Sequence, residues 1–134
     1  MPPDQYPIWL CVPGMVTSGV NESNYPTTGC DPAYERRMRP PTSELEEATR
    51  RVREEFRLGP PVHWRLDWLV PLSLGGANDL RNLWPIPWPE TAARKKKVDQ
   101  DIFRAVCAGT VNLTAAQGVI AGNWVFAEQS LGID

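Results

Sequence analysis

The stretch Arg65-Leu66-Asp67-Trp68-Leu69-Val70-Pro71-Leu72-Ser73-Leu74-Gly75-Gly76, with Asn82-Leu83-Trp84-Pro85 close behind, decides how this chain reads. In an extended segment successive side chains point to opposite faces. Trp64, Leu66 and Trp68 therefore share one face, and Arg65 and Asp67 share the other. Residues 63–74 read as extended. Gly75-Gly76 reads as a hairpin-type turn, and a short return segment runs from Leu80 to Trp84. Pro85, Pro87 and Pro89 then form a rigid connector. A helix fits residues 90–107, with Val98, Ile102, Ala105 and Val106 as its inner stripe and Gly109 past its end. The order is strand, turn, strand, helix. Such a hairpin plus helix brings polar positions from each piece to one point.

Working outward, a first helix is expected over residues 43–58. Ser43 and Glu46 have the spacing of a capping box, and Leu45, Ala48, Val52 and Phe56 lie on one face. Gly59-Pro60-Pro61 stops it. A last helix, residues 114–125, starts at Thr114 with Gln117 as its box partner. Residues 1–41 hold no periodic segment, yet Tyr6, Ile8, Trp9, Leu10, Val12, Met15 and Val16 make them apolar enough to dock as an irregular arm. The length of 134 residues suits one domain. Hydrophobic residues at 42% and charged residues at 22% are ordinary globular usage, which argues against a wholly disordered chain. No apolar run reaches the ~18 residues of a membrane span. The net charge of −2 argues against a strongly basic nucleic-acid binder. The N-terminal stretch lacks the features of a signal peptide, so the chain is expected to be cytoplasmic or trimmed. Cys11, Cys30 and Cys107 include no CxxC pair; an odd count leaves room for at most one disulfide plus a free thiol, and buried free thiols are the expectation for an intracellular chain.

The Asp67-to-Gly76 stretch and the Asn82-Leu83-Trp84-Pro85 run resemble the small bacterial His-Asn-His (HNH) endonucleases, whose pattern is Asp-His-Leu-Ile/Val-Pro-Leu-Glu-Leu-Gly-Gly followed by Asn-Leu-Trp-Pro. Cys11-Val12-Pro13-Gly14, Cys30 and Arg39-Pro40-Pro41 resemble that family's arm. Val106-Cys107-Ala108-Gly109, Ala116-Gln117 and Asn123-Trp124 resemble its C-terminal helices. The resemblance implies an α+β fold with a ββα core over residues 63–108. It also implies a divalent metal held partly by the Asp, a His acting as general base on water, and an Asn that orients loop and base. Such a set cleaves a phosphodiester because the metal neutralises charge on the phosphate while the imidazole takes a proton near pH 7.

This chain keeps Asp67 and Asn82 and departs from the pattern where the chemistry sits. Trp68 stands at the base position, and its indole N–H donates but accepts no proton. Ser73 replaces the Glu, and Lys95-Lys96-Lys97 stands near the family's Lys-Asp step. His63, five residues before Trp68, would be about 16 Å away along a strand and on its other face. Asp67 read alone is a vestigial metal ligand, an acid/base group or a structural acceptor, and Asn82 is a loop-bonding or catalytic residue. The run from Arg94 to Lys97 is a solvated face or a phosphate contact. Three functions stay open. The first is a metal-free, cofactor-free scaffold binding a small organic molecule, with Asp67, Trp68 and Asn82 as catalytic candidates and Trp64, Arg65, Ser73, Trp84 and Trp88 lining an aromatic cleft. It would catalyse a cyclisation or rearrangement in biosynthesis. The second is a residual DNA endonuclease using Asp67, Asn82 and a metal. The third is a DNA- or protein-binding module without catalysis.

Overall fold

A computed structural model describes residues 12–133. The fold is α+β, with one two-stranded antiparallel sheet among the described residues and helices packed on both sides of it. Strand β1 is Trp64–Trp68 and β2 is Leu83–Pro87, in a register that pairs Asp67 with Trp84 and Trp68 with Leu83. Before them come α1 (Tyr25–Thr28), α2 (Tyr34–Met38) and α3 (Thr42–Glu55). After them come α4 (Glu90–Cys107), α5 (Leu113–Asn123) and α6 (Ala127–Ser130).

The two faces of the β1–β2 pair carry different cores. Trp64 and Leu83 pack with Val52 of α3, with Leu66 and Trp68 partly buried beside them. Trp84 and Ile86 join Val98, Ile102 and Val106 of α4 and Ile120 and Trp124 beyond it. The alternation of Leu83, Trp84 and Ile86 thus feeds both helices from one strand.

Several sequence expectations are corrected. The strands are shorter and farther apart than a Gly-Gly hairpin would make them. Between them lie two 3-10 turns, Leu72–Leu74 and Leu80–Asn82, and Gly75 ends the first in the left-handed region at φ 80°. A Cβ on Gly76 would lie 1.7 Å from the Val70 carbonyl oxygen, so only glycine fits there. Pro85 and Pro87 lie inside β2 rather than in a connector. On a two-stranded sheet every strand is an edge, so a missing N–H is tolerated. Neither expected capping box forms. Pro41, extended at ψ 160°, precedes α3 without a side-chain cap. For α5 the cap is Asn112, which accepts from the Ala115 N–H at 2.8 Å, while Gln117 instead donates to the Leu74 carbonyl at 2.8 Å. Helix α3 ends at Glu55, three residues early, because Arg57 turns left-handed at φ 55°.

The arm is docked from residue 12 onward and contains α1 and α2; Val12, Val20, Tyr25 and Tyr34 are buried in the larger core. Tyr6, Ile8, Trp9, Leu10 and Cys11 lie outside the described residues. The expectation of free thiols fails for the other two cysteines. Cys30 and Cys107 form a disulfide across 77 residues, tying the arm to the end of α4. No helix among the described residues is long and apolar enough to cross a membrane.

Candidate functional site

The site grows from one cross-strand pair. Asp67 and Trp84 are register partners, so their side chains share a face. The Trp84 indole N–H donates to Asp67 Oδ2 at 2.9 Å. Lys95 of α4 meets the same oxygen at 2.9 Å and reaches Asp99, one turn on, at 3.0 Å. It also donates to the Trp68 backbone carbonyl at 2.9 Å. An ammonium has three N–H donors, and these three acceptors use all of them. Lys95 has no solvent-exposed surface. Its burial works against the charge, but Asp67 and Asp99 outweigh that and hold it above the ordinary lysine value. Burial pushes the Asp99 carboxyl up to about 7, against the pull of Lys95 and with a further push from Asp67.

This corrects two readings of the sequence. Lys95 is not part of a solvated basic face; Arg94, Lys96 and Lys97 are the exposed members of that run. Asp67 is not an isolated carboxylate, because α4 brings it both an ammonium and a second carboxylate.

The two carboxylates, Asp67 and Asp99, border a cleft of about 500 Å³, and Lys95 lies behind its wall. Its walls include Trp68, Ile86, Trp88 and Phe103, with Ser73 and Gln100 as neutral polar groups. Trp68 is half-buried. Its N–H donates to Asn78 Oδ1 at 2.8 Å, and Asn78 in turn donates to the Met38 carbonyl at 2.8 Å. The arm therefore sets the Trp68 ring. The Arg39 guanidinium lies 5.3 Å from that ring's centroid, and the Arg65 guanidinium lies 4.6 Å from that of Trp88.

Of the residues singled out in the sequence, Arg65, Asp67, Trp68, Ser73 and Trp88 meet in this cleft. Trp64 and Trp84 do not line it. Trp64 is core against α3, its N–H on the Gly59 carbonyl, and Trp84 stands behind Asp67. Asn82 is fully buried and brackets the loop between the strands. Its Oδ1 accepts from Val70 N–H at 2.9 Å, and its Nδ2 donates to the carbonyls of Val70 at 2.9 Å and Ala77 at 3.1 Å. His63 is exposed and precedes β1; its carbonyl accepts the Trp88 N–H at 2.9 Å.

Lys95, Asp99, Arg39 and Phe103 are the residues that sequence reasoning missed. Lys95 had a signal. It lies three residues before Val98 on the stripe Val98, Ile102, Val106, so helical geometry alone places it inward. Asp99, at i+4 from it, is the partner that spacing supplies. Arg39 had no local signal, since only the tertiary path of the arm brings it over Trp68.

No protein-family model matches this chain, and no curated protein or solved structure does so either.

A divalent cation does not suit this donor set. Among the described residues no three His, Cys, Asp or Glu side chains converge as a metal site. The point between Asp67 and Asp99, where two carboxylates would share a cation, is filled by the Lys95 ammonium.

Proposed function

We propose that this chain is a degenerate HNH-type scaffold that binds an organic molecule in the Trp68–Trp88–Phe103 cleft and acts on it without a metal ion. The observation that carries the reading is Lys95, an internal cation that answers the two carboxylates from within the fold. Support also comes from Trp68. It stands where the resemblance calls for a proton acceptor, and its indole N–H is committed to Asn78. The cleft has the size of small-molecule sites, and it sets aromatic walls beside a ring of charged groups.

The reaction class this suits is a cyclisation or rearrangement. Such a step needs a substrate held near its reactive conformation, with no protein nucleophile. Asp99, its carboxyl near 7, is the cleft's group for proton exchange around neutral pH. The Cys30–Cys107 disulfide favours an oxidising compartment over the cytoplasm.

The nuclease reading keeps one favourable observation, the nearness of Asp67 and Asp99, and it requires a metal to displace Lys95. Supercoiled plasmid incubated with Mg²⁺, Mn²⁺, Ni²⁺ or Zn²⁺ separates the two. The wild type is expected to leave it intact in every metal. Cutting that disappears in Asp67→Ala overturns the proposal. The positive arm is a thermal-shift screen of small organic molecules. Stabilising compounds are expected to be indifferent to EDTA and to lose their effect in Trp88→Ala, a residue that is 45% exposed and stands outside the buried core.

A further inference from the structure

We infer that the ligand of this cleft is an organic anion, a planar apolar body against Trp68, Trp88 and Phe103 that ends in a carboxylate or phosphate held by Arg39, Arg65 and Lys96. The inference rests on the small-molecule reading of the cleft and adds the chemical class of its occupant.

The charges argue for it. Three cations line the cleft, Arg39, Arg65 and Lys96, and three carboxylates, Glu35, Asp67 and Asp99. Lys95 sits against two of those carboxylates. The balance is a net positive cleft in a chain whose formal charge is −2.

None of the three lining cations has an ion-pair partner among the described residues. Two of them lie over aromatic rings of the cleft. Arg39 lies over Trp68. Arg65 lies over Trp88, and its Nη1 donates to the carbonyls of Pro61 at 2.8 Å and Trp64 at 3.0 Å, which hold it in place. Ring and carbonyl contacts of this kind restrain a guanidinium without neutralising it. A carboxylate or phosphate arriving there meets planar donors whose ordering has already been paid for by the fold. The same two rings that orient the guanidiniums offer apolar area to the body of the ligand.

A polynucleotide fits less well. Continuous phosphate contact needs a row of cations along a surface. Here Lys95 is internal and Lys97 is bound to Asp101 at 2.5 Å, which leaves Arg94 and Lys96 from the basic run.

Two matched dyes test the inference on the full chain. 8-Anilinonaphthalene-1-sulfonate and N-phenyl-1-naphthylamine share a ring system, and only the first carries an anion. The wild type is expected to bind the sulfonate about tenfold more tightly, the scale of one charge-assisted contact. Arg39→Gln and Lys96→Gln should erase most of that preference and leave the neutral dye unchanged, and Arg39→Lys should restore part of it. Equal binding of both dyes by the wild type overturns the anion inference while leaving the cleft reading intact. Binding of neither dye, or binding that Trp88→Ala and Phe103→Ala leave untouched, overturns the cleft reading itself. A 20-base-pair duplex that displaces the sulfonate, with an affinity that falls steeply with salt and with Lys96→Gln, overturns both in favour of nucleic acid.

Discussion

Helices α3 and α4 each place one cation between two carboxylates, and the pair shows what burial does to the same arrangement. On α3, Arg50 meets Glu47 at 2.5 Å and Glu54 at 2.5 Å. On α4, Lys95 meets Asp67 at 2.9 Å and Asp99 at 3.0 Å. By distance alone the first trio is the stronger. Yet its side chains are more than half exposed, so water competes for every contact and salt screens it. The second trio has lost its water. Its Coulomb attraction is larger, and so is the cost of removing any member, because the remainder is left charged in a dry place. The α3 trio belongs to one helix and could be deleted with little consequence. The α4 trio joins β1, α4 and the Trp84 indole, and so ties the strand pair to the helix that flanks the cleft.

The largest effect expected from breaking this contrast is at Lys95. Lys95→Met leaves two carboxylates facing each other in the interior and frees the Trp68 carbonyl. A loss of about 3–5 kcal/mol is expected from urea denaturation, the range for breaking one partner of a buried pair. The triple variant Asp67→Asn, Lys95→Met, Asp99→Leu should recover most of it, since no uncompensated charge remains and the amide oxygen introduced at position 67 still accepts from the Trp84 indole. A single variant as stable as the wild type would show that the trio contributes nothing to the fold.

A smaller effect concerns pH, and here the two helices should differ in sign. The Asp99 carboxyl is raised to about 7 in the fold from an ordinary 3.8. Between those values the native state holds a proton that the unfolded chain has released. Stability from this group therefore falls as pH rises from about 4 to about 7, and then levels off. Glu47 runs the other way. Its hydrogen bonds to Arg50 lower its pKa, so what little it contributes is present above about 4.5 and lost as pH falls below. Denaturation midpoints measured from pH 4 to 8 should decline in the wild type and flatten in Asp99→Asn. A wild-type profile that rises through this window, unchanged in Asp99→Asn, would show that Asp99 titrates as an ordinary carboxyl.

The same contrast explains what the sequence could and could not reveal. Helix α4 was legible to its boundaries, because Gly109 and the Val98–Ile102–Val106 stripe are local signals. Lys95 was misread because residue type was given more weight than position. A lysine in a basic run is usually solvated, but this one occupies a stripe position. That two extended segments meet before α4 was legible, but their bounds and the turn were not, since the second strand runs over Leu83–Pro87 and Gly75 ends a 3-10 turn. Only the Asn82 bracket and the close approach of Gly76 to Val70 distinguish it from a hairpin turn, and both are tertiary. Arg65, Asp67, Trp68, Ser73 and Trp88 could be gathered into one site from their proximity in the chain, although strand alternation sets Trp68 on the other face from Arg65 and Asp67. Arg39, Glu35 and the Cys30–Cys107 link reach across the fold through the arm, where no periodicity guides a reader.

The smallest effect expected is at Arg50, and its smallness is the point. Arg50→Ala removes a cation that is exposed to solvent and held only by flexible glutamates of its own helix. Alanine is also at least as good a helix former as arginine, so the lost ion pairs are offset by propensity. The denaturation midpoint should shift by no more than the error of the measurement. Any shift seen at low salt should vanish in about 0.5 M NaCl, where a Debye length of a few ångströms screens exposed pairs. The Lys95→Met deficit should persist unchanged in that salt, because counterions do not enter the place where Lys95 lies. If the two variants instead lose stability equally, or if salt erases the Lys95 deficit, then burial is not what separates the two trios. The short distances on α3 would then have to be taken at face value.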